Sequence, residues 1–211
     1  MIGATGPVIC VENHATFRTL LRCQRALQAP AWVAVAWIQG RNIAPLESLP
    51  DLPFTVTRLD YLGDLDAAGL AIAAAACATA ERNGVAAQPA AELWALLLSQ
   101  PSRPGGGPVS QADARKLTEW LPGSLRDPAC ELLTSGHVIP QEALRFDILV
   151  KAFSAVPRET TAPLPGGECR PVSRSEARGE FPVGFGHAVW QVGGAEQAGF
   201  EYFFLVEGQA V

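Results

Sequence analysis

The chain has 211 residues, 48% of them hydrophobic, which is enough for one large domain or one domain with an appendage. A net charge of −5 excludes a freestanding nucleic-acid coat, but not a nuclease whose local basic patches or partners hold the nucleic acid. Five scattered cysteines (Cys10, Cys23, Cys77, Cys130, Cys169) form no Cys-x-x-Cys and are odd in number, which argues against a disulfide framework or a zinc module and for reduced thiols in a cytoplasmic protein. The first residues lack the basic start and apolar core of a signal peptide. Residues 67–80 are apolar but too short to span a membrane, so no membrane partner is expected.

Residues 7–11 (Pro-Val-Ile-Cys-Val) are an apolar run of the kind that forms buried parallel strands, and Glu12 follows it. Asn13 is a fitting N-cap for a helix over 14–28, with Phe17, Leu20, Leu21 and Leu27 on its apolar face. Residues 31–38 predict a second strand closed by Gly40, residues 45–49 a short helical turn, and residues 54–62 a third strand. A helix then opens at Asp66 or Ala67 and ends at Asn83-Gly84, a good C-cap pair. Strands separated by crossovers of this kind predict an α/β fold, a parallel, doubly wound sheet flanked by helices.

Beyond Gly84 the pattern turns helical. Helices are predicted over 89–98, 110–120, 126–134 and 141–155, with Gly105, Gly106 and Gly107 in a loop over 101–108. Ser110 with Asp113 forms an imperfect capping box. Composition shifts near Pro157, so 1–156 is expected to be one domain. Residues 157–180, rich in Pro, Gly, Ser and Arg, read as a linker. The 181–211 tail carries two apolar-aromatic runs split by glycines, a β-hairpin pattern.

Three acids stand at predicted strand ends: Glu12 after the first strand, Asp64 and Asp66 after the third. An isolated Asp-x-Asp is commonly a surface turn or a helix cap. This pair differs in falling on the same sheet edge as Glu12. If the first and third strands are neighbours, the three carboxylates converge at the place where open α/β sheets put their chemistry. Hard oxygen ligands of this kind suit magnesium or manganese, which in turn suit phosphodiester cleavage. Gly63 would let the backbone approach a cation or a phosphate closely, and the amides opening the next helix would favour an anion. His14, beside Glu12, and Arg41, after the second strand, are candidates to contact a phosphate, with packing and a solvated charge as their plainer readings. Tyr61, Trp94 and Trp120 read as core residues.

Other chemistries lack their motifs. The turn after the first strand is Glu-Asn-His-Ala-Thr rather than Gly-x-Gly-x-x-Gly, which argues against a dinucleotide site. No Lys-Ser or Lys-Thr follows the glycines at 105–107, so there is no P-loop. A haloacid-dehalogenase phosphatase would carry its Asp-x-Asp after the first strand. No Ser-His-Asp set can be assembled.

Val11-Glu12-Asn13, Gly40 and Gly63-Asp64-Leu65-Asp66-Ala67-Ala68-Gly69-Leu70 together resemble the TOPRIM domain, the metal-binding module of topoisomerases, primases and several nucleases. The form looks most like the C-terminal domain of the JetD nuclease subunit of Wadjet anti-plasmid systems, which is related to the TOPRIM part of the topoisomerase VI A subunit. The resemblance covers about residues 8–156, dense at the acidic motifs and loose between them. It implies a Rossmann-type sheet with a helical C-terminal extension, and magnesium- or manganese-dependent cleavage of double-stranded DNA beside a condensin-like loop-extruding complex, with a homodimer as one assembly.

By resemblance, Glu12 is a general acid/base or metal ligand, and Asp64 and Asp66 are metal ligands. Glu142, in Pro140-Gln141-Glu142, resembles the family's Gln-Glu element and is a further acid; its plainer reading is a helix N-terminal residue favoured by the macrodipole. The family's nuclease subunit carries a DNA-binding region ahead of its TOPRIM domain, whereas here the first predicted strand begins at Pro7. A preceding segment or a separate chain is therefore expected to supply DNA binding. Two other readings stand beside this one: a non-catalytic or truncated TOPRIM assembly module, and another TOPRIM phosphotransfer enzyme of primase-like or RNA-cleaving kind.

Overall fold

Four consecutive residues, Val8, Ile9, Cys10 and Val11, have no solvent exposure, which requires cover on both faces of their strand. They form most of β1 (Thr5–Val11), which lies inside a sheet of a computed structural model that describes residues 5–27, 31–39, 41–52, 54–155, 188–191 and 203–206. Parallel neighbours flank it: β2 (Ala34–Trp37) on one side and β3 (Thr55–Leu62) on the other. A short strand β4 (Ala87–Pro89) adds parallel to β3, so the parallel part of the sheet is ordered β2-β1-β3-β4.

The crossovers supply the cover. Helix α1 (His14–Ala26) links β1 to β2, a 3₁₀ turn (Ala44–Asp51) links β2 to β3, and α2 (Ala67–Arg82) links β3 to β4. The first crossover steps one way across the sheet and the other two step back. Right-handed connections therefore put α1 on one face, and α2 with the 3₁₀ turn on the other. The chain is thus an α/β protein with a Rossmann-like, doubly wound parallel sheet.

The remaining helices are α3 (Ala91–Leu98), α4 (Gln111–Thr118), α5 (Gly123–Thr134) and α6 (Phe146–Ala155). Two-residue strands β5 (Arg103–Pro104) and β6 (His137–Val138) pair antiparallel, and α6 packs on α1. Beyond β2 the sheet continues with β7 (Ala188–Gln191) and β8 (Phe203–Val206), which pair antiparallel with each other while β8 pairs antiparallel with β2. Gly40 and the expected linker at 157–180 lie outside the described residues.

Two expectations are corrected. The helix expected from residue 89 begins at Ala91, because residues 87–89 form β4. A three-residue edge strand has too few positions to show alternation, and Pro89 is tolerated at such an edge. The single helix expected over 141–155 is two elements, a 3₁₀ turn (Gln141–Ala143) and then α6. The break comes at Leu144, with ψ 77°, and the Gln141 amide, which the first turn of any helix leaves unpaired, donates to Asp64.

Polar pairs anchor the sheet. Asp60, 4% exposed, accepts from Trp32 Nε1 (2.8 Å) and from Arg58 Nε (2.7 Å) and Nη2 (3.0 Å). The Tyr61 carbonyl accepts from Trp94 Nε1 (2.8 Å) and from the Ala90 amide (2.9 Å), which docks α3 at the end of β3. Trp94 is fully buried in the core, and the partly buried Trp120 packs against it edge-on.

Candidate functional site: carboxylates at the switch point

Val11 and Leu62 are register partners at the ends of β1 and β3, so the chain leaves both strands side by side. Glu12 follows immediately on one strand, and Gly63 and Asp64 follow on the other. Neighbouring crossovers run in opposite directions from this pair, which makes the gap between their C-terminal ends the topological switch point.

Each loop ends in a helix cap. Asn13 is extended, and its Oδ1 accepts from the amides of Ala15 (2.7 Å) and Thr16 (3.4 Å), which starts α1 directly after Glu12. Asp66 is likewise extended, and its Oδ1 accepts from the Gly69 amide (2.8 Å) to start α2. Asp66 therefore has one oxygen committed to the helix and one free. Asp66→Ala should cost about 1 kcal/mol in urea unfolding, and Asp66→Asn only a few tenths, because asparagine caps as well as aspartate. Equal losses would contradict the capping role.

Glu12 is the unusual member. It is partly buried, and its Oε1 is screened from solvent with no hydrogen-bond partner. Burial, then the negative charge of Asp64, then more weakly that of Asp66, push its carboxyl up to about 8. The Tyr61 hydroxyl opposes this by favouring the ionised form, although the two groups do not meet in hydrogen-bond geometry. Tyr61 is fully buried, and burial raises its own pKa first of all. It is a wall of the site, as its packing role at the sequence level implied.

Gly63 has a specific reason to be glycine. A Cβ there would overlap Glu12 Oε1, so the missing side chain is the space the carboxyl occupies.

A third segment ties the loops together. Leu65 and Ile139 form an antiparallel bridge, Leu65 N to Ile139 O at 2.9 Å and Ile139 N to Leu65 O at 3.2 Å. Two residues on, the Gln141 amide donates to Asp64 Oδ1 (2.8 Å), and Glu142 Oε1 accepts from Asn13 Nδ2. Glu142 is exposed in the first turn of the short 3₁₀ helix, as its plainer reading has it, and from there it also reaches the β1 loop. Gln141 is fully buried, with neither side-chain polar atom partnered. Sequence reasoning noted Gln141 only as part of a motif; its contact with Asp64 has no local signal.

The two other candidates, His14 and Arg41, are both exposed. His14 is exposed in the first turn of α1, its ring 5.0 Å from Trp37 and 6.3 Å from Phe17. Arg41 is exposed in the turn that follows β2.

Among the described residues, no three His, Cys, Asp or Glu side chains are gathered into a ready-made metal cage. Magnesium does not need one: it binds through one or two carboxylates and keeps several waters. Asp64 and Asp66 each have one oxygen free of the contacts described above, and Glu12 has an orphaned one, so the donor set fits a hard, partly hydrated cation. The fold and this cluster define the class: a Rossmann-like α/β chain with acids from two adjacent strand ends at its switch point. Comparison with family models, with curated proteins and with solved structures found no match. Among the described residues no helix is long and apolar enough to cross a membrane.

Proposed function

We propose that the chain is the nuclease subunit of a plasmid-defence system, a TOPRIM-type, magnesium- or manganese-dependent DNA endonuclease resembling the Wadjet JetD subunit. The observation that carries the reading is the adjacency of β1 and β3, which brings the Glu12 loop beside the Asp64–Asp66 loop. The resemblance of the same two loops to the family's motifs supports it from the sequence side.

Asp64 and Asp66 would hold the cation, with Glu12 and Glu142 as further acids. When bound, it would neutralise charge on the phosphodiester and on the departing oxygen. The protein's own part is positioning and proton handling. The bonds from Gln141 and Gly69 orient the two aspartates before any ligand arrives. A Glu12 carboxyl that titrates near neutrality is suited to accept or return a proton at Oε1. Double-stranded DNA would be the substrate, delivered in the cytoplasm by a condensin-like loop-extruding complex.

Supercoiled plasmid incubated with the chain, such a complex and magnesium should be cut, and Asp64→Asn should slow cutting by more than about 100-fold. Wild-type rates in Asp64→Asn or Glu12→Gln would refute the assignment. The second reading is a non-catalytic assembly module. Calorimetry separates the two. An enzyme should bind magnesium or manganese in a way abolished by Asp66→Asn, and a silent module should bind neither.

A further inference from the structure

Helix α1 starts at the candidate site and carries Arg18, Arg22 and Arg25 but no acid anywhere along its length, in a chain whose net charge is −5. All three arginines are exposed, as are its other outward residues, His14, Ala15 and Ala26. Arg18 and Arg22 are one helical turn apart, with a rise of about 6 Å, close to two 3.4 Å steps along one strand of a duplex. The Arg22 guanidinium lies 4.6 Å over the Phe146 ring, which fixes it where α1 meets α6.

The packed neighbour α6 adds exposed Lys151, and Arg145 precedes it. Two acids lie alongside and offset part of this charge, Asp147 that of Arg145, so the surplus is carried by α1 and Lys151. Glu142 accepts from Asn13, and Asp147 stands 3.5 Å from Arg145 Nη2. Arg25, in the last turn, is favoured by the helix dipole, whereas Arg18 and Arg22 lie further from that end, and the stripe matches a polyanion. Its regular spacing and its start at the switch point fit a phosphate backbone better than a folded acidic protein.

We propose that the outer face of α1, through Arg18 and Arg22, docks the phosphate backbone of duplex DNA and leads it to the switch-point carboxylates. The substrate named here rests on the nuclease reading above, but the surface can be tested without catalysis. Fluorescence anisotropy with a labelled duplex in EDTA should show binding that weakens steeply with salt. Arg18→Glu/Arg22→Glu should weaken binding at least about tenfold at low salt, and the salt dependence should fall by about two phosphates' worth of counterion release. Arg18→Gln/Arg22→Gln, which keeps long side chains at both positions, should shift binding the same way by less. Arg115→Glu, an exposed charge on α4, should lose much less than the double variant. Unchanged thermal midpoints show that the fold is intact.

Duplex binding equal in wild type and the Arg18/Arg22 variants overturns the proposal. So does failure of wild type to bind duplex, including the case in which it retains a polyglutamate peptide instead. The two readings fail separately. If Asp64→Asn cuts like wild type while Arg18/Arg22 variants lose DNA, the catalytic assignment falls and the surface stands. If Asp64→Asn abolishes cutting while Arg18/Arg22 variants bind and cut normally, the surface falls alone.

Discussion

Gly69→Ala should destabilise the protein by about 3 kcal/mol, and so lower its melting temperature by roughly 6–12 °C. The usual effect has the opposite sign. Alanine in place of glycine inside a helix normally adds about 0.5–1 kcal/mol, because glycine loses more backbone freedom on folding. Here a Cβ would overlap the Asp64 carbonyl oxygen and sit 3.0 Å from both Asp64 N and C. Those are backbone atoms, and three contacts stop them moving aside: Gln141 N on Asp64 Oδ1, the Leu65–Ile139 bridge, and Gly69 N on Asp66 Oδ1. Relief must come from shifting α2 away from the loop, which would also displace both aspartates. Urea unfolding checks the energy; a gain in stability would mean the loop is free to yield. Magnesium affinity should fall with it.

Glu12→Gln should make the protein more stable at alkaline pH and flatten its stability profile. The ordinary carboxyl value of 4.5 is raised to about 8 in the folded chain, by burial first and by Asp64 second. The unfolded chain therefore gives up this proton near pH 4.5, while the folded chain keeps it until about pH 8. Stability from this group is fully present below pH 4.5, is lost as pH rises through the window, and levels off above 8. The loss is on the order of 2 kcal/mol once the solvent reaching a partly buried carboxyl is allowed for. Glutamine stays neutral throughout and should show no such fall. Magnesium should restore stability to wild type at pH 8–9 by binding the ionised form, and should do much less for Glu12→Gln. A wild-type profile that is flat between pH 5 and 8 would contradict the burial of Glu12.

Much of the frame was legible residue by residue. The Pro-Val-Ile-Cys-Val run, the Asn13 cap and the Asn83-Gly84 stop are local signals, and β1, α1 and α2 follow them closely. Gly84, at φ 80°, holds the left-handed turn expected after α2. Strand β4 escaped because three residues carry no pattern. The split at Leu144 escaped because no glycine or proline between residues 141 and 155 marks it.

The sequence by itself determined which acids stand at strand ends, and that Asn13 and Asp66 cap the helices beside them. These are short-range matters of side-chain oxygens meeting amides two or three residues on. Only the tertiary structure decided that β1 and β3 are neighbours, that Glu12 Oε1 is shut off from solvent beside Gly63, and that residues 139–142 bind both loops. Strand order and burial depend on long-range packing and on the charge of groups distant in the chain. They bring three separate acids to one edge of the sheet, and turn a common glutamate into one that holds its proton near neutral pH.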